Sequence, residues 1–227
     1  MKITYYGHAC FSAEINGKNL LFDPFITPNE LAKDIDINSI KADYILISHG
    51  HEDHVADAVT IAQNTGAKVV STFEIVTWFG AQGIENGQPM NHGGAWNFDF
   101  GKVKLVSAIH SSVLPDGTYG GNPAGIVIES TSGNFYYAGD TALTLDMQLI
   151  PKTCKSLDFA IFPIGDCFTM GVDDAVVAAD FVECSKIMGV HYDTFGFIKL
   201  DHQAAIDAFK KNGKELMLLE IGESRDI

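Results

Sequence analysis

The stretch from Leu46 to Ala58, LISHGHEDHVADA, limits this chain more than any other part of it. An apolar, strand-like run, DYILIS, hands over directly to three histidines and three acids between His49 and Asp57. His49 and His51 are two apart, so an extended backbone points both rings to one side. Gly50 between them carries no side chain and lets the backbone approach an ion closely. Asp53 and His54 are neighbours, and a turn entering a helix can aim both at a second, adjacent ion. Catalytic zinc takes about three protein ligands and keeps a position for water. The stretch offers at most two ligands to each of two ions, so it is half of a site. Its spacing is not that of an HExxH helix, because His51 and His54 are three apart. Glu52 and Asp57 are expected to be bystanders to the metal.

The missing half must come from other strand ends. His110 closes KLVSAIH, Asp140 closes NFYYAGD, and His191 stands in MGVHYDTF. In open α/β architectures ligands collect at the carboxyl ends of strands. Strand-like runs such as KITYYG, CFSAEI, KNLLFDPF, AGIVIES and DFAIFPIG alternate with helical patterns. Helices are expected in VADAVTIAQNTG with a stop at Gly66, in EIVTWFGAQG, in VDDAVVAADFVECSKIMG and in LDHQAAIDAFKKNG. The rhythm is that of an α/β fold with helices covering sheets. No linker or repeat divides it, so residues 1–227 are expected to form a single domain.

Composition narrows the function. The formal net charge is -14 and Arg225 is the only arginine. A nucleic-acid binder needs a basic face, so no nucleic acid is expected. No apolar stretch reaches the ~20 residues that span a bilayer, and the start shows no signal-peptide pattern. Cys10, Cys154, Cys167 and Cys184 lie far apart without a CxxC pair. They are expected to be packing residues in a cytoplasmic protein.

SHGHEDHV resembles the HxHxDH signature of the metallo-β-lactamase superfamily. GHACF, LLFDPF, NHGGAW, AIHSS, GNPAGIVIES, YYAGDTALTLDMQLI, PIGDCFTMGVDDAVVAA and HYDTF extend the likeness over essentially the whole chain. They are similar to a family of small metal-dependent hydrolases related to the L-ascorbate-6-phosphate lactonases. The resemblance implies a four-layer αββα sandwich with the site at one edge of its two sheets. It implies that His49, His51 and His110 bind one divalent ion, that Asp53, His54 and His191 bind another, and that Asp140 bridges them. It further implies that Asp23 supports the site from behind its ligands. His8, in YYGHACF, would lie close enough to bind substrate or protonate a leaving group. The loop with Asp166, Thr169 and Met170 would line the pocket, as would NHGG, although His92 is not expected among the ligands.

A histidine at position 51 favours hydrolysis over the iron redox chemistry of flavodiiron relatives, which carry glutamate there. The expected metals are two zinc ions, with manganese, nickel or iron able to load the same set. Two cations about 3.5–4 Å apart can share a water and lower its pKa. The expected reaction is hydrolysis of an ester, lactone or related bond in a small-molecule substrate by that hydroxide, with Asp53 orienting it. Alternatives are a phosphodiesterase acting on a nucleotide or phospholipid head group, and a metal-binding regulatory protein without turnover. Homo-oligomers are compatible with such a fold.

Overall fold

The computed structural model describes residues 1–227. In chain order its strands are β1 (Lys2–Gly7), β2 (Cys10–Ile15), β3 (Lys18–Phe22), β4 (Tyr44–Leu46), β5 (Lys68–Thr72), β6 (Gly87–Met90) and β7 (Ala95–Asn97), followed by β8 (Lys102–Ser107), β9 (Ala124–Ser130), β10 (Gly133–Tyr137), β11 (Phe159–Pro163), β12 (Lys186–Val190), β13 (Glu215–Met217) and β14 (Ser224–Asp226). The helices are α1 (Glu52–Val55), α2 (Ala58–Thr65), α3 (Phe73–Ala81), α4 (Ile150–Thr153), α5 (Val172–Phe181) and α6 (His202–Lys211).

The strands form two seven-stranded sheets, ordered β14-β1-β2-β3-β4-β5-β6 and β13-β12-β11-β10-β9-β8-β7. Each sheet is antiparallel where hairpins join its strands and parallel where helical crossovers do.

Side-chain alternation explains the layering. In β3, Leu20 and Phe22 face a core between the sheets, while Leu21 faces the outer helices. In β9, Ile126 and Ile128 face that inner core, and Val127 faces the other helical layer. Phe11, Phe22 and Tyr137 meet in the inner core, with Phe11 and Phe22 stacked at 4.4 Å. Period-two burial on both faces therefore produces the four-layer αββα sandwich.

Some expected boundaries shift. The helical pattern VDDAVVAADFVECSKIMG ends early: α5 stops at Phe181, and Lys186–Val190 is a parallel strand buried on both faces. A short run of apolar residues reads alike for a buried strand and a helix. The helix after His54 is broken into α1 and α2. Gly66 caps α2 with φ 73, a left-handed angle that suits glycine. No helix is long and apolar enough to cross a membrane.

The topology positions the site. His49, His110 and Asp140 each lie three residues past the end of a strand, after Leu46, Ser107 and Tyr137. Asp23 and His191 directly follow β3 and β12.

Candidate metal centre

These strand ends converge on one edge of the sandwich. His49, His51 and His110 each bring a ligand-capable atom within 4.8 Å of the others. His49 Nε2 and His51 Nδ1 lie 3.0 Å apart. A second group joins Asp53, His54 and His191 with His8, under the same 4.8 Å limit. The first turn of α1 carries Asp53 and His54, as a turn entering a helix allows. Asp140 Oδ2 stands between the groups. It is 3.0 Å from His191 Nε2, 3.3 Å from His54 Nε2, 3.6 Å from His110 Nε2 and 3.9 Å from His49 Nε2. All seven expected ligands are thus brought together, with the carboxylate that was to bridge them in the middle.

Asp23 lies behind this set and is fully buried. Its Oδ1 accepts the Ser48 backbone N–H at 2.8 Å. Its Oδ2 accepts from the Ser48 hydroxyl, from His54 Nδ1 at 2.8 Å and from the Tyr137 hydroxyl at 2.6 Å. A carboxylate acceptor on Nδ1 requires the proton there and turns His54 Nε2 toward the cluster. Because Ser48 Oγ donates to Asp23, it accepts from His49 Nδ1 at 3.0 Å, which orients His49 in the same way.

Backbone strain gathers here too. His8, Asp23 and His191 hold φ of 55, 41 and 59, in a region L-residues seldom occupy. Such strain persists only where surrounding contacts over-determine it, and it clusters at functional sites.

The electrostatics belong to a site prepared for cations. Burial pushes the His54 imidazole down, but Asp140, Asp53 and Asp23 outweigh it and hold its pKa well above the usual histidine value. Burial likewise opposes Asp140 at His191, whose pKa is pushed up to about 9. Burial, with His54 beside it, holds His49 well below the ordinary value. Burial and the neighbouring His191 lower His8 to about 4. Asp140 and Asp53 stay well below the usual carboxylate range, because the surrounding histidines overcome the cost of burial.

The donor set fits divalent metal. His54 Nε2, Asp140 Oδ1 and both nitrogens of His191 are buried without a hydrogen-bond partner. Buried polar atoms are normally paired, and an orphaned group calls for an explanation such as an ion. Imidazole and carboxylate, without thiolate, suit zinc, manganese or iron. His51 and His110 remain partly open to solvent, as does Asp53, whose side chain is 25 % exposed.

Other expectations fall outside the cluster. Asp166 accepts from the Cys167 N–H at 2.8 Å and lines a cavity of about 550 Å³ beside α5 and α6, which no clustered residue lines. The Thr169 hydroxyl donates to the Met170 carbonyl, and Met170 is packed in the outer core. His92 donates from Nε2 to the Pro123 carbonyl at 2.7 Å, away from the cluster. All four cysteines are free, with Cys10 and Cys184 buried. Glu52 is exposed. Asp57 makes no metal-group contact but is buried, and it accepts the N–H groups of Ile26 at 2.6 Å and Thr27 at 2.8 Å.

Several supporting residues escaped the sequence reading. Besides Ser48 and Tyr137, Ser111 Oγ lies 3.2 Å from His51 Nε2, and Ser112 Oγ accepts the Gly50 N–H at 3.0 Å. Thr194 Oγ1 lies 3.0 Å from His8 Nδ1. The serines beside His110, in AIHSS, were the one local signal available.

The beta-lactamase superfamily domain profile matches residues 2–191. A UPF0173 metal-dependent hydrolase of Flavobacterium johnsoniae is 59 % identical over 227 residues, with both chains fully covered. One from Christiangramia forsetii is 58 % identical over 228 residues, again with full coverage. Among solved structures, a metallo hydrolase of the archaeon Ignicoccus hospitalis is 33 % identical, with a TM-score of 0.88 over 99 % of this chain and 97 % of that one.

Proposed function

This chain belongs to the beta-lactamase superfamily and, within it, to the UPF0173 metal-dependent hydrolases, and from that premise we propose that it hydrolyses an ester, lactone or related bond of a small molecule with two divalent ions. The observation that carries this reading is the position of Asp140 Oδ2, within 3.9 Å of histidines from both groups. In it, His49, His51 and His110 would hold one ion, Asp53, His54 and His191 would hold the other, and Asp140 would serve both. Zinc is the preferred metal, with manganese, nickel and iron as competitors for the same donors. Such a pair supplies Lewis acidity and acidifies water near neutral pH.

The protein's own groups do the rest. Asp23 and Ser48 fix the orientation of His54 and His49, so that both rings present Nε2 without rearrangement. Asp53 is the most open carboxylate of the cluster. It is assigned the proton of the attacking water, taken on Oδ1, the oxygen that does not face His8 Nε2 at 3.1 Å. His51 and His110 flank the approach of the substrate. The scarcity of arginine, with Arg225 as the single guanidinium, leaves no bidentate clamp for a phosphate and favours an uncharged carbonyl substrate. Four free cysteines agree with work in a reducing cytoplasm.

The test is a panel of esters, lactones, thioesters and phosphodiesters offered to metal-loaded protein and to His51→Ala. The reading expects carbonyl-ester turnover that His51→Ala abolishes. Turnover confined to phosphodiesters would replace the bond class, and no turnover with full metal loading would favour a binding protein.

A further inference from the structure

His8 shares the features that mark the expected ligands, and this inference rests on the two-ion reading above. It belongs to the same group of residues with mutually close donor atoms as Asp53, His54 and His191, and its Nε2 lies 3.1 Å from Asp53 Oδ2. It is 1 % exposed, as buried as His54 and His191 and far more so than Asp53. A ring sealed to that degree does not touch a substrate.

The hydrogen bonds around His8 decide where its lone pair points. Thr194 has one hydroxyl proton and two neighbours, His8 Nδ1 at 3.0 Å and the Tyr192 carbonyl at 3.3 Å. A carbonyl can only accept, so the tautomer that lets the hydroxyl serve both neighbours has it donating to Tyr192 and accepting from His8 Nδ1–H. In the neutral ring this leaves a lone pair on Nε2, facing Asp53 Oδ2 at 3.1 Å. Two acceptors face each other at that distance comfortably only with a cation beside both. His49 and His54 follow the same pattern, each giving Nδ1–H to an acceptor behind it and turning Nε2 inward.

The spacing agrees. Two atoms about 2.0–2.1 Å from one zinc ion and about 90–120° apart, as among five donors, lie about 2.9–3.6 Å from each other. His8 Nε2 and Asp53 Oδ2, at 3.1 Å, match this as well as His49 Nε2 and His51 Nδ1 do at 3.0 Å.

The backbone locks the ring in place. The strained His8 carbonyl accepts from the His191 N–H at 2.8 Å and from the Tyr5 hydroxyl at 2.9 Å. The ring packs 4.1 Å from that of His191, with Phe25 at 5.4 Å and Phe195 at 5.3 Å walling it in.

We propose that His8, through Nε2, is a further protein ligand of the ion held by Asp53, His54 and His191, and that Thr194 is the positioning residue that fixes its tautomer. His8 thereby moves from proton donor to coordination. With Asp140 shared between the ions, the second ion then has five protein donors. That number exceeds the usual four of structural zinc and suits metals of higher coordination.

The deciding experiment is a crystal structure of wild-type protein grown with zinc chloride, with the ions located by anomalous scattering. It needs no variant. The expected result is His8 Nε2 about 2.1 Å from the second ion. Two ions present with His8 Nε2 more than about 3 Å from both, and bonded to Asp53, would overturn the inference and leave the two-ion reading standing. Absence of a second ion would overturn both.

Zinc titration of variants supplies a second readout. Thr194→Val should weaken the second equivalent about 10–100-fold and leave the first unchanged. Thr194→Ser should restore it, and His8→Ala should weaken it by more than Thr194→Val does. Wild-type affinity for the second equivalent in His8→Ala would reject the assignment.

Discussion

Asp23 Oδ2 and His54 Nδ1 meet at 2.8 Å at the back of the histidine–aspartate cluster, both fully buried and 31 residues apart in sequence. The same carboxylate accepts from Ser48 and Tyr137. Asp23→Ala should therefore leave several buried donors without an acceptor and lower stability by about 3–5 kcal/mol in urea unfolding. Tyr137→Phe removes one hydroxyl and should cost about 1 kcal/mol. A wild-type urea midpoint for Asp23→Ala would show that the carboxylate is not the anchor described.

Metal affinity should depend on pH with a definite sign. His191 of the metal-free protein is raised to about 9, chiefly by Asp140 against the opposing effect of burial. Its proton stabilises the metal-free fold fully below the ordinary histidine pKa of about 6.5. That contribution is lost as pH rises through about 9. A metal ligand must shed the proton, so affinity should climb between pH 6.5 and 9, with proton release on binding. Calorimetry in buffers of different ionisation enthalpy measures that release. A pH-independent affinity over this interval would contradict the protonated state of His191.

His8 titrates the other way. Its folded pKa is lowered to about 4 by burial and by His191, so the unfolded chain takes up the proton first as pH falls. The neutral-ring contribution is complete above about 6.5 and is lost as pH falls toward 4. His8→Asn should shed this part of the acid sensitivity of the metal-free protein, read as a smaller drop in urea midpoint from pH 6.5 to 4.5. An unchanged drop would place the acid sensitivity elsewhere.

The candidate ligands His49, His110 and Asp140 were legible in the sequence because they follow apolar strands at a fixed short distance. All three stand three residues past a strand end. The supporting residues were harder to read because their partners are remote. Tyr137 reaches Asp23 across 114 residues, and Thr194 reaches His8 across 186. The end of α5 was missed for a different reason. KIMGV is a strand buried on both faces, and its unbroken apolar run carries no period that separates it from a helix.

Asp57 and Glu52 separate structural from chemical roles within the signature stretch. Asp57 holds two backbone N–H groups of the loop after β3, at 2.6 and 2.8 Å, whereas Glu52 is exposed. Asp57→Ala should lose about 2–4 kcal/mol in urea unfolding without changing the metal stoichiometry of the folded protein. Glu52→Ala should stay within about 0.5 kcal/mol. Loss of metal from a folded Asp57→Ala protein would reassign that carboxylate to the centre.

Asp53 is both the proposed proton acceptor and a proposed ligand. Asp53→Ala should cut turnover about 100-fold or more. Full activity of Asp53→Ala with both ions bound would remove it from the chemistry.

The central claim is that this edge of the sandwich holds two divalent ions that hydrolysis requires. Elemental analysis of protein purified after growth with supplemented zinc or manganese, coupled to the hydrolysis panel before and after chelation, tests it most directly. The account predicts about two metal equivalents per chain, with turnover that disappears on chelation and returns when metal is restored. Metal content near zero in the supplemented protein, or turnover untouched by chelation that has removed the metal, would contradict it.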